Sequence, residues 1–303
     1  MEFRSNGKIL LSGEYFIIDG AKAIGIPSNK GQKIKINKIK DGDFIKWESY
    51  DNNKVLWFKS KFDVKTFEII DCGFDYKKAL VLKKIFETIK KINPKFEFKP
   101  VKIKSFLEFD LNWGLGSSST LLNNFAMWTN SDPYELLKHT FGGSGYDIAC
   151  ANSSSPIQFQ KIDNKINILP VKFNPPFINN LLLVHLNKKV SSKSEIKKYN
   201  VKKKPSNETI NNISKLSEKL IKTKDQNEFN KYIAEHENII ADHLKKSRIK
   251  ETLFKDFDGE IKSLGAWGGD LILVSSFNKK EALDYFIKNK YYTIMNFTDL
   301  LIQ

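Results

Sequence analysis

Apolar residues recur along this chain at two spacings, and each spacing predicts its own kind of element. Residues 32–39, Gln-Lys-Ile-Lys-Ile-Asn-Lys-Ile, alternate polar and apolar. A period of two puts Ile34 and Ile36 on one face of a strand and Lys33 and Lys35 on the other. Residues 8–18 also read as a strand, with Glu14 unusual inside an apolar run. Asp19-Gly20 is a turn consistent with a hairpin into residues 21–27. Residues 44–58 and 66–70 predict further strands, so the chain opens as a β-rich layer. Over 74–92 the spacing changes. Ala79, Leu80, Leu82, Ile85, Phe86 and Ile89 fall on one side of a helix that ends before Asn93-Pro94.

Residues 101–110 alternate again and predict a strand, and 121–128 are apolar enough for two helical turns. Asp132-Pro133 pairs an N-cap residue with proline at the first helical position, which predicts a helix to about Thr140. A second lobe starts near Pro156, dividing the chain into 1–155 and 156–303. There, 157–160 and 165–169 read as a hairpin and 181–186 as a buried strand. Residues 207–221 and 226–246 read as helices, 271–274 as a strand, 279–288 as a helix and 291–297 as a strand. His236 lies on the apolar stripe of its helix beside Phe229, Ile233 and Ile240, which makes it a packed core histidine.

Composition narrows the classes. At 303 residues, 41% hydrophobic and 13% aromatic, the chain can bury a large core. No stretch approaches the roughly 20 apolar residues that span a bilayer, and nothing in the first residues resembles a secretory leader. Two cysteines, Cys72 and Cys150, indicate no disulfide framework. The expectation is a cytoplasmic protein without membrane contact, either monomer or homodimer. The net charge is +15, yet the only arginines are Arg4 and Arg248. Guanine readers lean on arginine, so the excess lysine argues against nucleic acid. A positive field still favours small anionic substrates.

Candidate chemistry lies in three glycine-rich turns. The first, residues 112–120, is Asn-Trp-Gly-Leu-Gly-Ser-Ser-Ser-Thr, between a predicted strand and a predicted helix. Gly114 and Gly116 allow a tight turn and a close backbone approach. Leu115, Ser117, Ser118 and Ser119 complete a helix start whose unpartnered N–H groups favour a phosphate. A plain glycine turn with a serine cap accounts for the same residues. The second turn, Gly142-Gly-Ser-Gly-Tyr-Asp147, sets one acid against an apolar segment, and the third is Gly265-Ala-Trp-Gly-Gly-Asp270.

Together these motifs resemble the GHMP kinases, the family named for galactokinase, homoserine kinase, mevalonate kinase and phosphomevalonate kinase. Residues 8–15, with Gly-Glu-Tyr at 13–15, match the family's first signature. Residues 110–120 match P-x-x-x-G-L-G-S-S-A-A, Ser144-Gly-Tyr-Asp147 matches S-G-x-D, and 265–270 match the closing glycine cluster. Departures are Asp110 for proline, Ser119 and Thr120 for alanines, Trp267 for a glycine, and a short interval from Gly116 to Asp147.

The resemblance implies an α+β, two-lobed GHMP kinase fold. Its N-terminal lobe would be ribosomal S5 domain 2-like and its C-terminal lobe a ferredoxin-like α/β unit. It implies an enzyme that uses ATP and Mg²⁺. Gly114, Leu115, Gly116, Ser117, Ser118 and Ser119 would cradle the phosphates, with Ser118 and Glu135 as metal ligands. Asp147 would accept the acceptor's proton, while Lys8 would pair with that charge and steady the transferred phosphoryl group. Substrate would be met by Glu14, Tyr15, Ser144, Gly145, Lys189, Ser191, Ser192, Gly265, Gly268 and Gly269. The Ser-Gly-Tyr-Asp turn, without the proline usual in mevalonate kinases, favours phosphomevalonate as acceptor over mevalonate. Homoserine, a sugar, or an ATP-binding protein without catalysis are the alternatives.

Overall fold

A computed structural model describes residues 1–163, 165–188, 195, 199, 204–265, 267 and 271–302. The chain divides into two compact units. The first comprises Met1–Gly7, Lys30–Leu111 and Leu115–Asn152; the second comprises Lys8–Asn29, Asn112–Gly114 and Ser153–Gln303.

In the first unit the strands follow the order β5 (Ile69–Asp71), β4 (Leu56–Asp63), β3 (Phe44–Tyr50), β6 (Val101–Leu107) and β2 (Ala23–Lys38). Neighbours are antiparallel except β3 and β6, which run parallel with Trp47 opposite Ile103. Residues 32–38 of β2 pair with β6 from Gln32↔Leu107 to Lys38↔Val101. The alternation predicted there holds: Ile34 and Ile36 are buried, while Lys35 is exposed.

Four helices belong to this unit: α1 (Tyr76–Ile92), α2 (Ser117–Thr129), α3 (Pro133–Thr140) and α4 (Tyr146–Asn152). Asp75 caps α1 through the Lys78 N–H, and Asp132 caps α3 through the N–H groups of Tyr134 and Glu135. Their apolar faces meet the strands in one core. Trp47 stacks on Phe125 at 5.6 Å, and Phe86 meets Phe62 and Phe125 edge-on at 5.2 and 5.6 Å. Burying a side chain of this kind stabilises by roughly 1.5–3 kcal/mol.

In the second unit, Ala23–Gly25 of β2 pair with β7 (Ile157–Ile162), which forms a hairpin with β8 (Lys165–Pro170). A separate antiparallel sheet runs β10 (Glu260–Ser263), β11 (Leu271–Ser275), β9 (Leu181–His185), β12 (Ile294–Asn296). Every residue of β9, β10 and β11 is buried. Helices α5 (Asn207–Lys222) and α6 (Gln226–Leu244) pack on each other, and α7 (Ile249–Leu253) and α8 (Lys279–Lys288) belong to the same unit. None of the described helices is long and apolar enough to cross a membrane.

Strand limits differ from expectation for local physical reasons. β1 spans Glu2–Ser12 and stops short of residue 18. At Gly13 the backbone turns with φ +90°, and a Cβ there would lie 2.5 Å from the Ala23 Cβ. Residues Phe16–Asp19 then form a 3-10 turn. The pieces read separately at 21–27 and 32–39 are one strand, β2. β12 is shorter than the 291–297 expected. β10 was not expected at all. Ile261 is its only large apolar residue, so its burial depends on what Glu260, Lys262 and Ser263 meet.

Candidate active site

The first glycine turn ends as a helix cap. Gly114 and Gly116 both have left-handed φ, +66° and +88°, and Gly116 is the N-cap of α2. A residue with a side chain would be strained in that conformation. The Leu115 side chain, 1% exposed, anchors the turn in the interior. The first intrahelical bond of α2 runs from Thr120 N–H to the Gly116 carbonyl at 3.0 Å. The N–H groups of Ser117, Ser118 and Ser119 therefore have no acceptor within the helix. The three serines divide. Ser119 is buried, its Oγ donating to the Gly116 carbonyl at 2.8 Å. Ser118 is exposed and Ser117 half-buried.

The second glycine turn seats Asp147. Gly142, Gly143 and Gly145 have φ of +70°, +110° and +98°, and α4 begins at Tyr146. The N–H groups of Ile148 and Ala149 both donate to the Gly145 carbonyl at 3.1 Å. Ser144 Oγ accepts from Tyr146 N–H at 3.4 Å. Asp147 sits half-buried in the first turn of α4, and α4 packs on α2. One unit thus carries the glycine cap, the serines and the acid, with Ser144 and Gly145 beside the acid.

The second unit gathers the first and third motifs. Glu14 is 0% exposed, and Lys262 Nζ donates to its Oε1 at 2.5 Å. Lys262 also reaches Glu237 Oε1 at 3.5 Å. Burial pushes the Glu14 carboxyl up to about 7, with Lys262 pulling it partly back. His236 lies against Glu14, with 3.5 Å from Nε2 to Oε2, and its Nε2 accepts the Gly13 N–H at 3.0 Å. Burial first, and the Lys262 charge second, hold its imidazole well below the usual histidine range, so it is neutral. It is the buried histidine that its helical stripe predicts.

Trp267 is turned into this interior. It is 3% exposed, its Nε1 donates to Glu237 Oε1 at 3.1 Å, and its backbone N–H donates to Tyr15 Oη at 3.2 Å. Ser263 N–H donates to Glu237 Oε2 at 3.2 Å. Tyr15 has φ +62° and stacks on Tyr199 at 5.2 Å. Burial pushes its hydroxyl up to about 12, so it stays protonated. Gly265 also turns with positive φ, +64°, and open space lies where a Cβ would stand. Lys8 is on β1, half-buried. Lys189, Ser191, Ser192, Gly268 and Gly269 lie outside the described residues.

Sequence reasoning missed His185, at the end of β9. Its Nδ1 accepts the Asn187 N–H at 3.2 Å. That leaves the proton on Nε2, which donates to the Asn112 carbonyl at 3.0 Å, at the start of the first glycine turn. A histidine closing an apolar strand carries no local signal for this contact.

The residues differ in how they fit a nucleotide and its metal. Glycines with positive φ and unpartnered helix N–H groups suit phosphates. Ser118 offers an exposed hydroxyl to a cation. Glu135 is on the surface of α3, its carboxylate shared by Lys138 at 3.1 Å and His139 at 3.4 Å, which holds it below the usual carboxylate range, Lys138 first. Among the described residues no three His, Cys, Asp or Glu side chains converge to hold a metal. Magnesium in such a site would depend mainly on phosphate and water oxygens.

No family model matches the chain, and no curated protein gives a significant match. Solved structures do. The Methanococcus jannaschii mevalonate kinase superposes with a TM-score of 0.69 over 98% of this chain and 97% of its own, at 18% identity. The Streptococcus pneumoniae phosphomevalonate kinase, solved with phosphomevalonate and AMPPNP, gives 0.67 over 97% and 99%, at 14% identity. A D-glycero-D-manno-heptose 1-phosphate kinase from Bacteroides thetaiotaomicron gives 0.67 over 97% and 94%, at 15% identity. The chain has the fold of these small-molecule kinases, and it is the α+β fold that the order of its motifs implies.

Proposed function

We propose that this protein is an ATP-dependent kinase of the GHMP type, transferring the γ-phosphoryl group to the hydroxyl of a small anionic acceptor. The observation that carries this reading is the pairing of two glycine turns in one unit. One caps α2 with left-handed Gly116 and three serines; the other seats Asp147 on α4, packed on α2. An anion cradle and an acid on adjoining helices are the minimal apparatus for phosphoryl transfer, where positioning and charge do most of the work.

In this reading the N–H groups of Ser117, Ser118 and Ser119 bind phosphate oxygens, and Leu115 keeps the turn rigid from inside. Magnesium, when bound, would offset charge on the β- and γ-phosphates, with Ser118 as its protein ligand. Asp147 takes the proton as the acceptor oxygen bonds to the γ-phosphorus and the bond to the β-phosphate oxygen breaks, releasing ADP. Lys8 steadies the transferred group. A role in meeting the acceptor is proposed for Tyr15, Ser144, Gly145, Gly265, Lys189, Ser191, Ser192, Gly268 and Gly269 from the motif resemblance alone. Glu135 remains a metal-ligand proposal that Glu135→Gln would test.

Phosphomevalonate is the favoured acceptor, on the proline-free Ser-Gly-Tyr-Asp turn and the lysine-rich 188–193 stretch. Mevalonate is second. Fold does not determine acceptor, and the similar structures include a heptose 1-phosphate kinase. ADP release from Mg-ATP should therefore be measured against phosphomevalonate, mevalonate, homoserine, galactose and heptose 1-phosphate. Turnover on phosphomevalonate alone supports the full reading. Turnover on another keeps the kinase and changes the acceptor. None on any acceptor, with ATP still bound, overturns it.

A further inference from the structure

α2 carries a buried polar stripe where the core would accept apolar residues. Thr120, Asn123 and Asn124 are at most 1% exposed and lie at helical spacing of i, i+3 and i+4. All three are tied to neighbours in the same unit. Thr120 Oγ1 donates to Gln32 Oε1 at 2.7 Å, and Gln32 Nε2 passes the contact to Ser105 Oγ at 2.7 Å. Asn124 Nδ2 donates to the Gln32 carbonyl at 2.9 Å, and its Oδ1 accepts from Ser5 Oγ at 2.9 Å. Asn123 Nδ2 donates both to Ser5 Oγ and to Asn152 Oδ1 at 2.9 Å. Asn152 Nδ2 returns a bond to Asn123 Oδ1 at 2.7 Å.

The network is neutral throughout, so it contributes no charge to catalysis and titrates nowhere near neutrality. It does contribute register. A helix packed only by apolar residues can slide or rotate slightly at small cost. One bound by directional hydrogen bonds to β1, β2 and α4 cannot, because each displaced buried amide would lose a partner. The two helices it joins carry the proposed apparatus: α2 begins at the glycine cap, and α4 carries Asp147 in its first turn and ends at Asn152.

We propose that Asn123 and Asn152 are positioning residues, whose reciprocal amide pair sets the Asp147 helix against the phosphate-binding end of α2. This rests on the kinase reading for its catalytic consequence, not for the link itself. Thr120, one of the departures from the family pattern, belongs to the same device as its anchor on β2.

The test compares wild type with Asn152→Ala and Asn152→Asp. Asn152 is exposed at the end of α4, so its truncation is compatible with folding. The alanine variant should lower kcat about tenfold, since small misplacements of reacting groups are costly. Its Kd for ATP should stay within about twofold of wild type, as expected when only transition-state interactions are lost. The aspartate, which still accepts from Asn123 Nδ2, should fall between. Hydrogen exchange across 144–152 should rise in the alanine variant while 117–129 stays protected. Unchanged kcat and exchange would overturn the proposal, as would equal losses of ATP binding and thermal stability with no effect specific to kcat. If wild type phosphorylates none of the acceptors, the kinase reading has failed. The exchange comparison then decides the link by itself.

Discussion

Lys262 and Glu14 form an ion pair at 2.5 Å with neither side chain exposed to solvent, although 248 positions separate them in the chain. Glu237 shares the ammonium, and neutral His236 adds no charge. Two carboxyls and one cation in a dry site leave one negative charge uncompensated when both acids are ionised. Burial first, with the Glu237 charge adding to it, pushes the Glu14 carboxyl up to about 7 although Lys262 pulls it back.

The imbalance has a pH signature. A carboxyl raised in the folded state adds stability that is complete below its unfolded pKa and is lost as pH rises through the folded value. For Glu14 that window runs from 4.5 to about 7. Glu14→Gln removes the titration and leaves Lys262 with Glu237. The melting temperature of the variant relative to wild type should therefore increase between pH 5 and pH 8. A difference independent of pH would remove Glu14 from the titrating role. His236 works in the opposite direction: depressed in the fold, it withdraws stability as pH falls below its unfolded value of 6.5.

Lys262→Met should be far more damaging than Glu14→Gln. It leaves two buried carboxylates without a cation, a loss of about 3–5 kcal/mol where one partner of a buried pair is removed. Urea unfolding at pH 7 measures both variants, and equal losses would contradict the shared-cation arrangement.

Trp267 stands where the family pattern has a glycine, and its indole is part of the interior. Trp267→Ala should cost about 3–5 kcal/mol, as large-to-small changes of buried aromatic residues do. Trp267→Phe, which keeps a ring but loses the donor to Glu237, should cost less. Denaturant unfolding of the pair reads the difference. A stable alanine variant would mean that the indole is dispensable to the fold.

His185 is predicted to act on the nucleotide through the Asn112 carbonyl. A hydrogen bond of this type is worth about 0.5–1.5 kcal/mol, or about two- to tenfold in affinity. His185→Ala should raise the KM for ATP by that factor with kcat nearly kept. A kcat effect without a KM effect would assign His185 to another step.

Asp147→Asn should reduce turnover by about 10²–10⁴, the range for loss of a positioned general base, with the Kd for ATP largely retained. ADP release and calorimetric ATP binding give the two numbers. Unchanged turnover would exclude Asp147 as the base.

Much of the local structure was legible beforehand because its causes lie within a few residues. Asp132-Pro133 starts α3 through a cap and a pre-set φ. The alternation of 33–36 separates the buried Ile34 and Ile36 from Lys33 and Lys35. The glycines at 114 and 116 permit the left-handed turn that opens α2. The order of these motifs was enough to imply the fold.

Other features depended on residues far apart in sequence. Nothing near Glu14 announces Lys262, and nothing near His185 announces Asn112. Asn123 and Asn124 interrupt the apolar segment expected of α2, and the approach of Ser5, Gln32 and Asn152 satisfies their amides. The strand β10 reads as polar until folding supplies Lys262 with Glu14. Spacing and turn chemistry act between neighbours, so the sequence alone determined most of the elements and the order of the motifs. The burial of a charge or an amide depends on partners that only the folded chain brings within hydrogen-bonding reach, so the tertiary structure decided which polar groups are buried and what holds them.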